Sequence, residues 1–125
     1  MDEQPLDKIH IRDLKAQCIV GIFPEEREEK QDVVINITLY AVLRRASKSD
    51  RIEDTVDYKT MKKRILAMVC ESSYQLIESL AERISVICLS EPLVQRVKVS
   101  VDKPGALRYA RSVAVEIVRE RTDGA

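Results

Sequence analysis

The sequence predicts an α+β domain in which an antiparallel sheet of four strands carries two helices on one face. Two stretches of alternating apolar and polar residues come first, two stretches with helical spacing follow, and two more alternating stretches end the chain. Strands and helices that occur in separate runs are typical of α+β proteins. Since 125 residues are the size of one domain, we expect a single domain over 1–125 with its core in about 7–121.

Four segments have the alternation of strands. The first, 8–20, has a polar middle, so we expect it to bend or bulge around Asp13. The second is the stretch 31–46, which is rich in β-branched residues, and the last two cover 94–103 and 112–121. Apolar residues also fall on the other face of this sheet and its edge strands are exposed, so we expect copies of the chain to assemble.

Two segments have the spacing of amphipathic helices. Asp57 is a suitable N-cap for a helix over 58–71. Residues 72–75 match the S-x-x-Q capping box, which predicts that a second helix starts there. This helix is expected to run to about Ser90 and to stop before Pro92.

The composition argues against several classes of function. Twenty-one basic and 21 acidic side chains cancel, so nothing favours binding to nucleic acid or to a membrane surface. No apolar run approaches the roughly 20 residues that cross a bilayer, and the charged N-terminus does not resemble a signal peptide. Cys18, Cys70 and Cys88 predict buried free thiols in a cytoplasmic protein, and the single histidine, His10, predicts no metal site.

A lysine interrupts the most regular alternation in the chain. Val97, Val99 and Val101 point to one face of the third strand, and the next position on that face is Lys103, directly before Pro104. In one interpretation the alternation ends here and the side chain extends into water. In the other, the ammonium lies at the rim of an apolar pocket, where a partly desolvated amine can transfer protons. The spacing leaves both interpretations open.

Three other residues of catalytic type have ordinary explanations when each is taken alone. Glu26 belongs to the charged run EEREE, Glu78 lies on the polar side of the second helix, and Tyr58 starts the first helix. The two glutamates are expected on a solvated surface and the tyrosine at a packing contact. None of them indicates a function by itself.

Four longer segments, in this order and at these separations, are far more specific. They are IVGIFPEEREEKQDVVINITL at 19–39, DTVDYKTM at 54–61, QLIESLAERI at 75–84 and VSVDKPGALRYARSVAVEIVRE at 99–120. The chain therefore resembles the dihydroneopterin aldolase family, and its close relative dihydroneopterin triphosphate epimerase, over nearly its whole length. The resemblance implies a T-fold, in which the sheets of a homo-oligomer join in a ring to form a barrel and rings can stack into octamers.

The resemblance also implies catalytic roles. Lys103 matches the lysine that exchanges protons with the substrate, in part through ordered water. Glu26 matches the carboxylate near that lysine and the substrate's side chain. Tyr58 matches a tyrosine that acts from the neighbouring subunit and helps to deliver a proton, so the active sites are expected between subunits.

The implied ligand is a pterin. Glu78 matches the glutamate that anchors it, and Val56 and Ile77 match positions whose backbone groups contact the ring. A pterin presents two N–H donors side by side, which a carboxylate accepts as a fork. The implied reaction is retro-aldol cleavage of 7,8-dihydroneopterin into 6-hydroxymethyl-7,8-dihydropterin and glycolaldehyde. Because the dihydropterin imine can take up the electron pair, no cofactor and no metal are expected.

Two alternatives to the aldolase remain open. Arg108 and Arg111, in ALRYARSV, could meet the phosphates of an epimerase substrate, although both also suit a solvated loop. KPGA and DTVDYKTM are more similar to the aldolase branch. The second alternative is a non-catalytic T-fold module that is kept for assembly or pterin binding. The sequence does not distinguish a tetramer ring from an octamer.

Overall fold

The computed structural model describes residues 5–121 and confirms the predicted α+β class. The strands and α-helices are, in chain order, β1 (Asp7–Cys18), β2 (Gln31–Ala41), α1 (Arg44–Ser49), α2 (Tyr58–Glu71), α3 (Ile77–Leu89), β3 (Val94–Pro104) and β4 (Ser112–Glu120). A 3-10 turn, Pro24–Arg27, lies between β1 and β2.

The four strands form one antiparallel sheet in the order β1-β2-β3-β4. At one end of the sheet Cys18 pairs with Gln31, and Pro104 pairs with Ser112; this is called the upper end below. The opposite, lower end is where β2 and β4 finish. Because consecutive strands are neighbours, β1 and β4 are the edges of the sheet within one chain.

The core lies between one face of the sheet and the helices α2 and α3. Ile35 pairs with Val101 and Ile37 with Val99, and all four side chains are almost fully buried. The helices cover them with stripes of apolar residues at helical spacing, which include Met61, Ile65 and Val69 of α2 and Leu80, Ala81 and Ile84 of α3. Each large apolar side chain buried in this way contributes about 1.5–3 kcal/mol to the free energy of unfolding.

The predicted irregularity in the first strand is confirmed. The β1–β2 register shifts between Ile11 and Leu14, and Asp13 has a φ of 54°. The Asp13 N–H donates to Asn36 Oδ1 at 2.9 Å, so a side chain of β2 replaces the lost backbone partner. The bulge brings Leu14, Ala16 and Cys18 back onto the core face despite the polar segment before them.

The predicted end of the second strand is wrong. β2 stops at Ala41 rather than near residue 46, and α1 follows. The alternation ends there with Val42 and Leu43, and the Leu43 N–H donates to Asp7 Oδ2 at 3.0 Å instead of to a neighbouring strand. The segment therefore turns away from the sheet into a short helix.

The predicted capping box is also wrong. Ser72 ends α2: its N–H and its hydroxyl both donate to the carbonyl of Val69, at 3.0 and 2.7 Å. The helix α3 begins only at Ile77, with Leu76 as its N-cap and no side-chain cap. By contrast, the N-cap predicted for α2 is confirmed, because Asp57 Oδ1 accepts from the Thr60 N–H at 3.1 Å.

The cysteines are free but not all buried. Cys18 and Cys88 lie in the core, and burial raises the pKa of the Cys88 thiol to about 12. Cys70 is exposed, since it lies on the outer side of α2, so the expectation of three buried thiols is wrong for this residue. Within residues 5–121, no helix has the length and apolar character required to cross a bilayer.

Candidate active site

Lys103 keeps to the alternation of its strand and points into the core face. It pairs with Val113 on β4 and is only 9% exposed. Its Nζ donates to Glu26 Oε2 at 2.5 Å and to the carbonyl of Val20 at 3.3 Å. The interpretation in which this side chain extends into water is therefore wrong, and an ammonium lies at the upper rim of the apolar core.

Glu26 reaches Lys103 from the 3-10 turn that follows β1. One carboxylate oxygen accepts from Lys103, and the other accepts from the Phe23 N–H at 3.1 Å. The hydrogen bond from Lys103, followed by that from Phe23, holds the pKa of the Glu26 carboxyl below its ordinary value of 4.5. The two charged groups predicted for catalysis thus form an ion pair that is partly shielded from water.

This ion pair should make the free energy of unfolding fall in acid. Since folding depresses the pKa of Glu26, its contribution is complete above about pH 4.5 and is lost as pH falls through the lower, folded value. Urea titrations of the wild type and of Glu26→Gln should differ by a constant amount above pH 4.5. The difference should shrink below that pH. A difference that persists unchanged into strong acid would contradict the pairing.

Gly21 makes room for the Glu26 carboxylate. The residue is buried, has a φ of 137°, and a Cβ at this position would lie 2.4 Å from Glu26 Cδ. The sequence marks Gly21 only as the end of a strand. The structure shows that its missing side chain is the space into which Glu26 turns.

Gly21→Ala should therefore displace Glu26 from Lys103. We expect a loss of about 1–3 kcal/mol in the free energy of unfolding from the backbone conformation, together with a fall in enzymatic activity. Gly105→Ala is the matched control, because Gly105 also has a positive φ, 70°, but nothing lies within 4 Å of its added Cβ. If both variants lose activity equally when fully folded, the collision with Glu26 is not the cause.

Two of the predicted pterin-anchoring residues, Ile77 and Glu78, follow a segment that is bonded to the loop of Glu26. Ile77 and Glu78 form the first turn of α3; the Ile77 side chain is buried and Glu78 is exposed. Glu78 and Tyr74 line a surface depression of about 530 Å³ between α3 and β4. The carbonyl of Tyr74 accepts from the Gly21 N–H at 3.2 Å, so the segment that leads into α3 is joined to the segment that carries Glu26.

Tyr58 lies away from Lys103 and Glu26 within one chain. It begins α2 and is 53% exposed, whereas Cys70, near the other end of that helix, contacts Lys30 at the upper end of the sheet. Twelve residues of α-helix separate Tyr58 from Cys70 by about 18 Å along the axis. Val56, two residues before Tyr58, is fully buried, and its carbonyl accepts from the Tyr58 N–H at 3.0 Å.

Arg108 and Arg111 are exposed in the connection between β3 and β4. The Arg111 carbonyl accepts from the Gly105 N–H at 3.2 Å, and the Arg108 guanidinium stacks on Tyr109 with 5.5 Å to the ring centroid. Neither arginine forms an ion pair among the residues that the structure describes. Both lie in the connection at the upper end of the sheet, where β3 ends and β4 begins.

A family model described as dihydroneopterin aldolase (FolB) matches residues 9–118, which is most of the chain. The chain belongs to the dihydroneopterin aldolase family. The segments that carry the resemblance in the sequence are thus confirmed as family segments. The roles of individual residues are not tested by this match and remain predictions.

Relatives of this aldolase family carry three different names. The folic acid synthesis protein FOL1 of Dictyostelium discoideum is 39% identical over 91% of this chain, which spans only 17% of that protein's length. Dihydroneopterin triphosphate 2'-epimerase of Pseudomonas aeruginosa is 34% identical, with 95% of this chain and 97% of the relative covered. Dihydroneopterin aldolase of Streptomyces coelicolor is 36% identical, with 93% and 99% covered.

A solved dihydroneopterin aldolase confirms the fold of the family in this chain. The structure of the Escherichia coli enzyme in complex with neopterin superposes with a TM-score of 0.86 at 27% identity. The match covers 90% of this chain and 98% of the other. The predicted T-fold is thereby confirmed for the single chain, whereas the ring remains a prediction.

Proposed function

We propose that the protein cleaves 7,8-dihydroneopterin by a retro-aldol reaction, giving 6-hydroxymethyl-7,8-dihydropterin and glycolaldehyde. The observation that carries this proposal is the Lys103–Glu26 pair, which is shielded at the rim of the core in a member of this family. A proton must leave the side-chain hydroxyl as the carbon–carbon bond breaks, and the dihydropterin imine takes up the electron pair. A proton must then return to carbon to complete the hydroxymethyl product.

Lys103 exchanges these protons in the proposed mechanism. Glu26 orients the amine through its 2.5 Å contact and is itself held by the Phe23 N–H. Tyr58 helps to deliver the proton to carbon. General acid–base help of this kind contributes on the order of 10²- to 10⁴-fold in rate.

Glu78 recognises the pterin in this proposal. Its exposed carboxylate lies in the first turn of α3, where the helix dipole favours a negative charge. The ring's two adjacent N–H groups can donate to the two carboxylate oxygens, which fixes the ring in its plane. The backbone groups of Ile77 and Val56 supply further contacts.

A second copy of the chain is needed to bring Tyr58 and Val56 to this ligand, so we propose a homo-oligomer with its sites between subunits. The separation along α2 supports this, since about 18 Å of helix lies between Tyr58 and the upper end. Two observations agree with such contacts. Ile22 and Phe23, beside the Glu26 turn, are 62% and 63% exposed, and β1 and β4 are open edges.

The proposed function is tested by incubating the purified protein with 7,8-dihydroneopterin and, separately, with its triphosphate. The aldolase proposal predicts glycolaldehyde and 6-hydroxymethyl-7,8-dihydropterin from the first substrate. Inverted triphosphate without any glycolaldehyde would identify an epimerase instead. Binding of neopterin without turnover of either substrate would indicate a non-catalytic module.

The epimerase remains the second candidate for two reasons. A relative with that name matches over almost its whole length, and Arg108 and Arg111 are exposed in the β3–β4 connection that follows Lys103. The epimerase breaks the same bond and closes it with inverted configuration, so it needs the same proton transfers.

We also propose a cytoplasmic location, with which the three free thiols agree.

A further inference from the structure

The Arg27 guanidinium joins two segments that carry different halves of the candidate site. Nη1 donates to the carbonyls of Gly21 and Tyr74, at 3.2 and 3.1 Å, and Nη2 donates to the carbonyl of Ser73 at 2.7 Å. Its partners in the described structure are thus backbone carbonyls, and it forms no ion pair there. Because all three acceptors are main-chain carbonyls, which a substitution leaves in place, these bonds are removed only by changing Arg27 itself.

One of these segments carries the proton-transfer pair. Gly21 and Arg27 bracket Glu26, whose carboxylate fills the space above Gly21 and meets Lys103. Gln31 Nε2 adds a bond to the Val20 carbonyl at 3.0 Å, which fixes the start of the same segment. The position of Glu26 is therefore determined by how this loop is held.

The other segment leads directly into the pterin-anchoring turn. Ser73 and Tyr74 lie between the end of α2 and the beginning of α3, five and four residues before Glu78. The segment has no regular secondary structure to hold it. Besides the two bonds from Arg27 to the carbonyls of Ser73 and Tyr74, it receives the Gly21 N–H at the Tyr74 carbonyl.

We propose that Arg27 is a positioning residue that sets the separation between the Lys103–Glu26 pair and the pterin anchored at Glu78. The inference rests on the proposed function for these two groups. Arginine suits the task because its planar fork can donate in several fixed directions at once, whereas lysine presents a single nitrogen. A misplacement of about 1 Å between reacting groups can cost 10²-fold in rate.

Arg27→Lys should lower kcat for the folded enzyme by about tenfold or more. The affinity for neopterin should stay largely unchanged, because Glu78 and its turn remain intact. Binding of the ring to Glu78 does not depend on its distance from the Lys103–Glu26 pair. A merely structural role would reduce the folded fraction without changing kcat per folded molecule. The folded fraction is measured by circular dichroism under the assay conditions.

Arg121→Lys is the matched control. Arg121 Nη2 also donates to three backbone carbonyls, those of Leu89, Glu91 and Val94, but at the lower end of the sheet. The same substitution should destabilise the fold to a similar degree and leave kcat at the wild-type value. Equal kcat values for Arg27→Lys and Arg121→Lys would overturn the proposal.

Hydrogen exchange of the Gly21 amide tests the same link without substrate. This amide donates to the Tyr74 carbonyl, so it should exchange about tenfold faster in Arg27→Lys and at the wild-type rate in Arg121→Lys. Unchanged exchange in Arg27→Lys would overturn the positioning role, whatever reaction the protein performs. Faster exchange in a protein that cleaves no pterin would instead reject the proposed function and limit Arg27 to joining the two segments.

Discussion

Replacing Lys103 with methionine should lower kcat for cleavage of 7,8-dihydroneopterin by about 10²- to 10⁴-fold, which is the usual contribution of a general acid–base group. Methionine is similar in length and apolar, so it can occupy the 9% exposed position while removing the amine. The affinity for neopterin should be largely retained, because in the proposed site Glu78 anchors the ring and Lys103 does not. Stopped assays of product formation and a fluorescence titration with neopterin measure the two quantities.

Lys98→Met controls for the loss of a lysine from the same strand. Lys98 lies on β3 but on the opposite face of the sheet, paired with Thr38 and Val118. Its replacement should leave kcat unchanged. Turnover at the wild-type rate in Lys103→Met would remove the proton-transfer role from this residue.

Replacing Glu78 with glutamine should weaken pterin binding by about 100-fold, corresponding to roughly 3 kcal/mol for lost charge-assisted hydrogen bonds. The amide keeps one acceptor but turns an N–H₂ group towards a donor of the ring. KM should rise accordingly, and kcat at saturation should fall much less. Steady-state kinetics and a direct titration with neopterin provide the measurement.

Glu71→Gln is the control for this second prediction, since Glu71 is an exposed glutamate at the end of α2. It should bind neopterin as the wild type does. An unchanged dissociation constant in Glu78→Gln would place the pterin elsewhere. A fall in kcat without a change in KM would move Glu78 from recognition to proton transfer.

Most of the fold follows from local patterns in the sequence. The alternation of Val97, Val99 and Val101 and the Asp57 cap give β3 and the start of α2 correctly, because each depends on neighbouring residues. The errors occur where one sequence pattern is compatible with two local structures. Ser72 can begin a helix or end one, and here its hydroxyl donates to the Val69 carbonyl in the last turn of α2.

The candidate site is less accessible to sequence reasoning because its contacts join distant segments. Lys103 and Glu26 are 77 residues apart, and nothing in the charged run EEREE distinguishes Glu26 from its neighbours. The resemblance to the aldolase family, and not the spacing, singled it out. Sequence reasoning missed Gly21 and Arg27 as site residues. The only local signals for them are a glycine directly after the predicted strand 8–20 and an arginine in an acidic run.

The central claim is that Lys103 of one chain and Tyr58 of another act on the same pterin, and subunit mixing tests it most directly. Lys103→Met and Tyr58→Phe chains, each weakly active alone, are co-expressed with different tags, and the mixed oligomer is isolated. In a head-to-tail ring with random mixing, about one quarter of the interfaces unite an intact Lys103 with an intact Tyr58. The account therefore predicts recovery to about one quarter of wild-type turnover. Activity that stays at the level of the two parent variants would contradict it, because each chain would then have to supply both residues itself.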